Sequence, residues 1–297
     1  MIIVIGLSFL TYLLMYIAPG DPALKKLNAQ GIPVSEEVLA QTRHDMGLDE
    51  PFLARYGQWL AGALHGDLGD SYKDGLPVSQ KLLGALRYTL ILSAASLALS
   101  LVVSVPLAVI TAVRKNGAFD YIVRFLSFVG NSMPNFLISV LLMYFLCVKL
   151  KLLPVIADES VKGLILPCLA LSIPMCARFI RQFRAEILEQ LGRDYVAGAV
   201  SRGVKPSAIL FGNVLHNAAI PIMTIIAISV GTLLGGSVVV ETIFRWPGLG
   251  KLVMDAITAR DYPVIQGFVI FTSCVYVLIN LLTDLCYRRI DPRIEEV

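Results

Sequence analysis

Six apolar runs, a low charge content and one polar insert between two of the runs predict an all-α integral membrane protein. The chain is 56% hydrophobic and 16% charged over 297 residues, against roughly 45–50% apolar and about 25% charged in an ordinary soluble domain. The runs cover about residues 1–18, 86–112, 120–149, 164–183, 218–240 and 266–287. Segments of this length span a hydrocarbon core about 30 Å thick. Lipid gives backbone N–H and C=O groups no partner, so each run is expected to be a helix. The layout is then span 1 (1–18), a long loop (19–85), a core of spans 2 to 6 (86–287) with a polar insert at 193–217, and a tail (288–297).

The first run lacks a basic n-region and leads into Pro19-Gly20-Asp21-Pro22 rather than a small-residue cleavage site, so it reads as a retained span. The bare start suggests that a short basic leader is missing. The 19–85 loop mixes both charge signs and carries Tyr56, Trp59 and Tyr72. Val38, Leu39, Leu48, Phe52 and Leu60 recur at helical spacing, which predicts short helices lying on the membrane surface.

Pro106, Pro134, Pro174 and Pro221 fall in spans 2 to 5. They are read either as plain kinks, with neighbours satisfying the freed backbone, or as breaks marking a transport pathway. Asn131, Ser132 and Asn135 around Pro134 form the best polar cluster inside a run, suited to line a passage or to bond between helices. Gly231, Gly235 and Gly236 allow close helix approach in span 5. Asp284 near the end of span 6 is placed to pair with Arg288 one turn on, with proton relay as the alternative. The stripe Arg178, Arg181 and Arg184 ends span 4 and is accounted for by orientation and headgroup contact. After span 5, Glu241 to Gly248 is expected at the outer boundary, with Phe244 and Trp246 in the aromatic belt.

Six spans put both termini on one side, and the charges of the short loops select it. Arg114, Lys115, Arg124, the six basic residues Arg178, Arg181, Arg184, Arg193, Arg202 and Lys205, and Arg288, Arg289 and Arg293 fall on one face. The opposite face has half as many: Lys149, Lys151, Lys162, Arg245, Lys251 and Arg260. The richer face, with both termini and the insert, is expected to be cytoplasmic, and the 19–85 loop external.

The five cysteines lie in or at the ends of apolar runs, with neither CxxC spacing nor a disulfide framework. They read as small buried apolar side chains. His44, His65 and His216 are scattered over two faces, so no converging ligand set for a metal is expected. A net charge of +3 gives no sign of nucleic-acid binding. The phosphate-binding pattern G-x-x-x-x-G-K-[ST] is absent; Pro247 to Lys251 comes nearest, but Arg245 stands where that pattern needs Gly. The chain is therefore not expected to hydrolyse ATP by itself.

The insert breaks at Gly203 and restarts at Pro206, a residue suited to the first turn of a helix. Two short helices, the second from Ser207 to Leu215, would make a knob for another protein's groove. An interfacial amphipathic anchor is the alternative.

Ala197-Gly198-Ala199, Gly203 four residues on and Leu215 resemble the EAA loop of ABC-importer permeases. In the form of its insert the chain is similar to the dipeptide/oligopeptide/nickel permease family. The resemblance runs through PGDP (19–22), MGLDEP (46–51), HGDLGDS (65–71), SMPNF (132–136), NAAIPIMT (217–224), ETIFRWPGLG (241–250), RDYPVIQG (260–267) and DPRI (291–294). Departures are Ala197 in place of Glu, Gly198 in place of Ala, and Asn213-Val214-Leu215-His216 where many importers have I-x-L-P.

The resemblance implies a permease of the bacterial or archaeal inner membrane that catalyses nothing itself. It would pair with a second permease, two ATPase subunits that bind ATP and Mg, and an external substrate-binding protein. This chain would bind no cofactor and no nucleic acid, and would meet only membrane lipid besides. Asp194, Tyr195, Ala197, Gly198, Ala199, Gly203, Val204 and Pro206 are the expected ATPase-coupling residues. Asn131, Ser132, Pro134, Asn135, Glu241 and Arg245 are the pathway and gate candidates, with the 241–248 loop near the external gate. The substrate stays open between small peptides, nickel or a chelated metal, and opine-like molecules; the short 149–163 loop and Gly20 to Leu24 lean to the nickel side. The rival readings are an ion-gradient-driven secondary transporter and a scaffold subunit.

Overall fold

One of the six predicted spans, 120–149, is not a straight helix. The computed structural model describes residues 2–29, 34–157 and 159–290. Among the described residues, four helices are long and apolar enough to cross a membrane: Val78–Val113, Val161–Leu191, Pro206–Leu233 and Tyr262–Ile279. Two further helix pairs meet that test only together, Val4–Ile17 with Pro22–Asn28, bent by 69°, and Ala118–Ser132 with Asn135–Lys149, bent by 103°. The 120–149 run, expected as one span, is thus two arms about the sharp bend at Pro134. At 1.5 Å per residue an arm of 15 residues reaches only about 22 Å, short of a full crossing.

The chain divides into two compact units. The first comprises Met1–Thr89 and Pro247–Val277. It contains α1 (Ile2–Ile17), α2 (Pro22–Ala29), α3 (Glu36–Asp45), α4 (Phe52–Leu64), the first turns of α5 (Val78–Val113), α12 (Leu249–Ala259) and most of α13 (Tyr262–Ile290). Val78, Leu82, Ala85, Leu249, Ala256 and Val264 form its core, with Leu68, Phe268 and Phe271 packed against them. Gly267 permits the close approach of α13 to α5, because a Cβ there would stand 2.6 Å from the Val78 side chain.

Several sequence motifs meet in this unit. Gly20, at φ +112°, leaves room for the Arg260 guanidinium, which a Cβ would strike at 2.5 Å. Asp21 begins α2 by accepting the Ala23 N–H at 2.9 Å and pairs with Arg43 at 2.6 Å. The Ser71 hydroxyl and the Tyr72 N–H donate to the two carboxylate oxygens of Asp261, at 2.5 and 2.9 Å. The PGDP and HGDLGDS motifs are therefore anchored on the RDYPVIQG motif, and the 19–85 segment is folded through them.

The second unit comprises Leu90–Trp246 and Leu278–Val297. Its helices are the remainder of α5, α6 (Ala118–Ser132), α7 (Asn135–Leu142, continued as a π-helix over Met143–Lys149), α8 (Val161–Leu191), α9 (Asp194–Ser201), α10 (Pro206–Ile209) and α11 (Leu215–Phe244). Helix α8 is central and packs against α6, α7 and α11. It buries Phe179 and Phe183, stacked at 4.9 Å. Ser172 bonds across to the Ser96 carbonyl of α5 at 3.1 Å. Pro106, Pro174 and Pro221 lie inside continuous helices and do not interrupt them; only Pro134 stands at a break. No Cβ contact within 4 Å awaits a side chain at Gly235 among the described residues, so the close approach expected at that glycine is not seen among them. The side chains of Asp284 and Arg288 and the tail from Asp291 lie outside the described residues.

Candidate functional site

The insert is built by three backbone signals. Helix α8 stops at Gly192, whose N–H returns to the Leu188 and Glu189 carbonyls at 3.2 and 3.1 Å. Arg193, extended at φ −78° and ψ 151°, starts α9, and Asp194 places a carboxylate in its first turn, where the helix dipole favours negative charge. Tyr195 bonds back to Gln190 at 3.2 Å, and Arg193 pairs with Glu189. The far end of α9 closes as a Schellman turn: Gly203 N–H to Val200 C=O at 2.9 Å, and Val204 N–H to Ala199 C=O at 3.1 Å. That motif needs a left-handed residue after the C-cap, and Gly203 supplies it at φ +75°. Pro206 then takes the first turn of α10.

The second half of the insert differs from expectation. Residues 207–215 are not a separate short helix. Helix α10 passes through a π-helix at Leu210–Val214 into α11, so Pro206 begins the span itself. The physical reason is that Asn213 to His216 contains neither proline nor glycine to stop propagation, and Gly212 alone does not break the helix. A π segment absorbs the local misfit, as such segments often do at functional sites.

Of the coupling candidates, Ala199 alone is buried. Asp194, Ala197, Gly203, Val204 and Pro206 are exposed, and Tyr195 and Gly198 are half-buried. Beside them Val200 is 61% and Phe211 68% exposed. A polar segment that turns two such apolar side chains outward has the character of an interaction surface.

The pathway candidates fall into two separate places. Asn131, Ser132, Pro134 and Asn135 gather at the α6–α7 break, where Ser132 closes α6 onto the Phe128 carbonyl at 2.8 Å. The Asn135 carbonyl receives the Ser139 hydroxyl, also at 2.8 Å. Asn131, Ser132 and Pro134 are exposed and Asn135 half-buried. Glu241 and Arg245 belong to the end of α11. Glu241 is inside the helix and fully buried, not in a boundary loop. Phe244 and Trp246, expected in the lipid-facing belt, are also buried, at 0% and 2% exposed; the left-handed Arg245 turns the chain back so that both pack inward. Arg245 is exposed and adopts φ +57°, with the Trp246 N–H reaching the Glu241 carbonyl at 2.9 Å. A non-glycine residue held left-handed is strained, and such strain gathers at functional sites.

Sequence reasoning missed Asp120. This residue, fully buried in the first turn of α6, accepts the Asn116 N–H at 3.0 Å and the Arg184 guanidinium at 2.8 Å, with Arg124 at 3.6 Å. Arg184 is therefore an internal partner of α6 and not, as expected, a headgroup contact; Arg178 and Arg181 of the same stripe are exposed. The usable signal was an acid at the start of an apolar run, opposite a basic stripe ending another.

Apolar helices of spanning length, a sharply broken span and an exposed helical insert define the class: a multi-pass membrane transport subunit. The binding-protein-dependent transport system inner membrane component family matches residues 104–296, and its N-terminal companion matches residues 1–93. The chain belongs to this family and is a permease subunit of an ABC importer, not an enzyme. It is 40% identical to a probable peptide ABC transporter permease of Sinorhizobium fredii, over 95% of this chain and 92% of that one. It is 34% identical to a dipeptide transport system permease of Escherichia coli, covering 98% and 94%. A glutathione transport system permease of Pectobacterium atrosepticum is 38% identical, covering 96% and 92%. Among solved structures, the inward-facing MetNI methionine ABC transporter has the same fold, with a TM-score of 0.60 at 18% identity over 71% of this chain and 96% of that one.

Proposed function

We propose that this permease subunit imports short peptides and is driven by separate ATPase subunits that grip residues 194–206. The observation that carries the coupling is the insert itself, a short helix sealed by a Schellman turn at Gly203 with Val200 facing outward. The remaining assembly is a second permease, two ATPases with their ATP and Mg, and an external binding protein. Both termini lie in the cytoplasm and the 19–85 segment outside, as the excess of basic residues on the insert's side favours. Peptides are preferred over nickel or a chelated metal because the relatives named above are peptide, dipeptide and glutathione systems. Among the described residues no three His, Cys, Asp or Glu side chains gather to hold a metal.

The test is uptake of a labelled dipeptide into proteoliposomes holding the whole complex with its binding protein. Uptake should require ATP and survive ionophores that collapse ion gradients. Uptake abolished by the ionophores and indifferent to ATP would establish the secondary transporter instead.

The gate reading assigns the α6–α7 break to the pathway and Arg245 to the external gate, with Glu241 holding the end of α11 from inside. Arg245→Gly separates the side chain from the backbone, because glycine relieves left-handed strain of roughly 1–2 kcal/mol. Assembly and thermal stability should be equal to or above wild type, while uptake falls several-fold. Uptake at the wild-type rate would remove Arg245 from the gate.

A further inference from the structure

In the second unit, α8 carries two arginines on the side turned away from α5 and α6. Cys176 and Ile180 stand two residues either side of Arg178 and line a recess with Val103 of α5 and Val123 of α6. At 3.6 residues per turn, that recess lies about 160° around the helix from Arg178. The outward faces of α5 and α6 are apolar, with Val102, Ile122, Phe125 and Phe128 all exposed. Those faces suit hydrocarbon, and Arg178 and Arg181 do not share them.

The stripe to which the two arginines belong changes character along α8. Leu171, Pro174, Arg178, Arg181, Ala185 and Glu189 follow one another at three- and four-residue spacing, so they share a face. Leu171 and Pro174 are buried, and the face opens from Arg178 onward. It opens inside the apolar run, because Arg178 precedes Arg184 by six residues, about 9 Å along the axis. Charges at such depth are costly in hydrocarbon; they turn to a bundle interior or a watered cavity, and they mark substrate paths. Among the described residues, neither arginine has a hydrogen bond or a carboxylate within ion-pair distance. Glu189, the acid on the same face, is held by Arg193.

Two guanidinium groups without a partner among the described residues call for an anion from outside the chain. We propose that Arg178 and Arg181 receive the terminal carboxylate of the peptide in transit, at the end of α8 that leads into the insert. The assignment rests on the peptide-import reading above. A guanidinium presents a rigid fork of donors that matches both oxygens of a carboxylate. Set one helical turn apart, the two forks let that group pass from one arginine to the next. Every peptide with a free end carries the carboxylate whatever its side chains, so such a site serves a mixed cargo. A bare nickel ion would be repelled by it.

The test is photolabelling of the intact complex, with its ATPases, in nanodiscs of phosphatidylcholine. The probes are a dipeptide bearing an aryl azide and a free carboxylate, and the C-terminal amide of the same dipeptide. In wild type this subunit should take about tenfold more label from the acid than from the amide, the worth of one hydrogen bond between charged groups. Arg178→Gln and Arg181→Gln should each bring the acid down toward the amide, while Arg178→Lys keeps part of the preference. Melting should be unchanged in all three. Equal labelling by acid and amide in wild type, or an undiminished preference in both glutamine variants, would overturn the site. So would loss of the preference once phosphatidylglycerol is added, which would give the arginines to lipid headgroups. The cargo is read separately, as ATP-driven dipeptide uptake by the same complex. Uptake with labelling that ignores the carboxylate fails the arginine site alone; no uptake fails the peptide reading beneath it.

Discussion

Replacing Asp120 with alanine is expected to lower the stability of the permease by about 2–3 kcal/mol, one of the largest single-residue effects in the chain. The carboxylate is fully buried and is the shared acceptor for Asn116 N–H and Arg184. Its loss removes hydrogen bonds to a charged group, each worth about 1.5–3 kcal/mol, and strands Arg184, which is 15% exposed. Breaking a wholly interior pair costs about 3–5 kcal/mol; the lower figure applies because Arg124, 44% exposed, brings the cluster to the edge of solvent. The check is thermal unfolding of the purified complex, with Arg184→Met and the double variant completing a cycle. The double variant should recover part of the loss, since no charge is then left without its partner. A double variant as unstable as the two single losses added would mean that Asp120 and Arg184 act independently, and the pair would not be what joins α6 to α8.

This pair also bears on the secondary-transporter reading, because paired charges within the spans are a feature of such proteins. Its position answers the concern. Asp120 lies in the first turn of α6 and Arg184 in the last turns of α8, so the pair ties helix ends together instead of forming a relay along a pathway.

What the sequence made legible follows from the range of each signal. Apolar length is a local property, so the helices of spanning length stand close to where hydropathy put them. Backbone punctuation is local too: Gly203 and Pro206 marked the end of α9 and the start of the next helix. Pro134 broke its span because the chain turns extended at Met133 and Pro134, the conformation a proline favours in the residue before it, whereas Pro106, Pro174 and Pro221 are carried inside continuous helices. Tertiary partners were illegible. Arg184 looked like a headgroup residue because its partner lies 64 positions away. Glu241 and Trp246 looked like boundary residues because polar and aromatic composition suits a membrane interface. Glu241 is buried because α11 carries it inward and Trp246 because the chain turns back at Arg245, and a positive φ at arginine has no sequence signature. The motifs that gather around Asp261 were legible as words but not as one site.

The other large effect is expected at the insert, and Gly203→Val isolates it. Gly203 has open space around it, with no atom within 4 Å of an added Cβ, yet its φ of +75° is one that a β-branched residue resists. The substitution therefore acts through the backbone alone, at a cost of roughly 1–2 kcal/mol. It should loosen the Val204 to Ala199 bond that closes α9. If the ATPases read α9 as a rigid body, that strain is taken from their binding, and a shift of this size corresponds to about five- to thirtyfold in affinity. Gly198→Ala is the matched control. Its Cβ would meet the Arg202 guanidinium at 3.5 Å, an ordinary contact, and alanine favours the helix by about 1 kcal/mol over glycine. Co-purified ATPase and ATP-driven uptake should fall together in Gly203→Val and hold in Gly198→Ala. A third variant, Val200→Asp, puts a charge on the exposed apolar face without touching the turn, and should also release the ATPases. Wild-type ATPase recovery in both Gly203→Val and Val200→Asp would place the energy-coupling surface elsewhere on the permease.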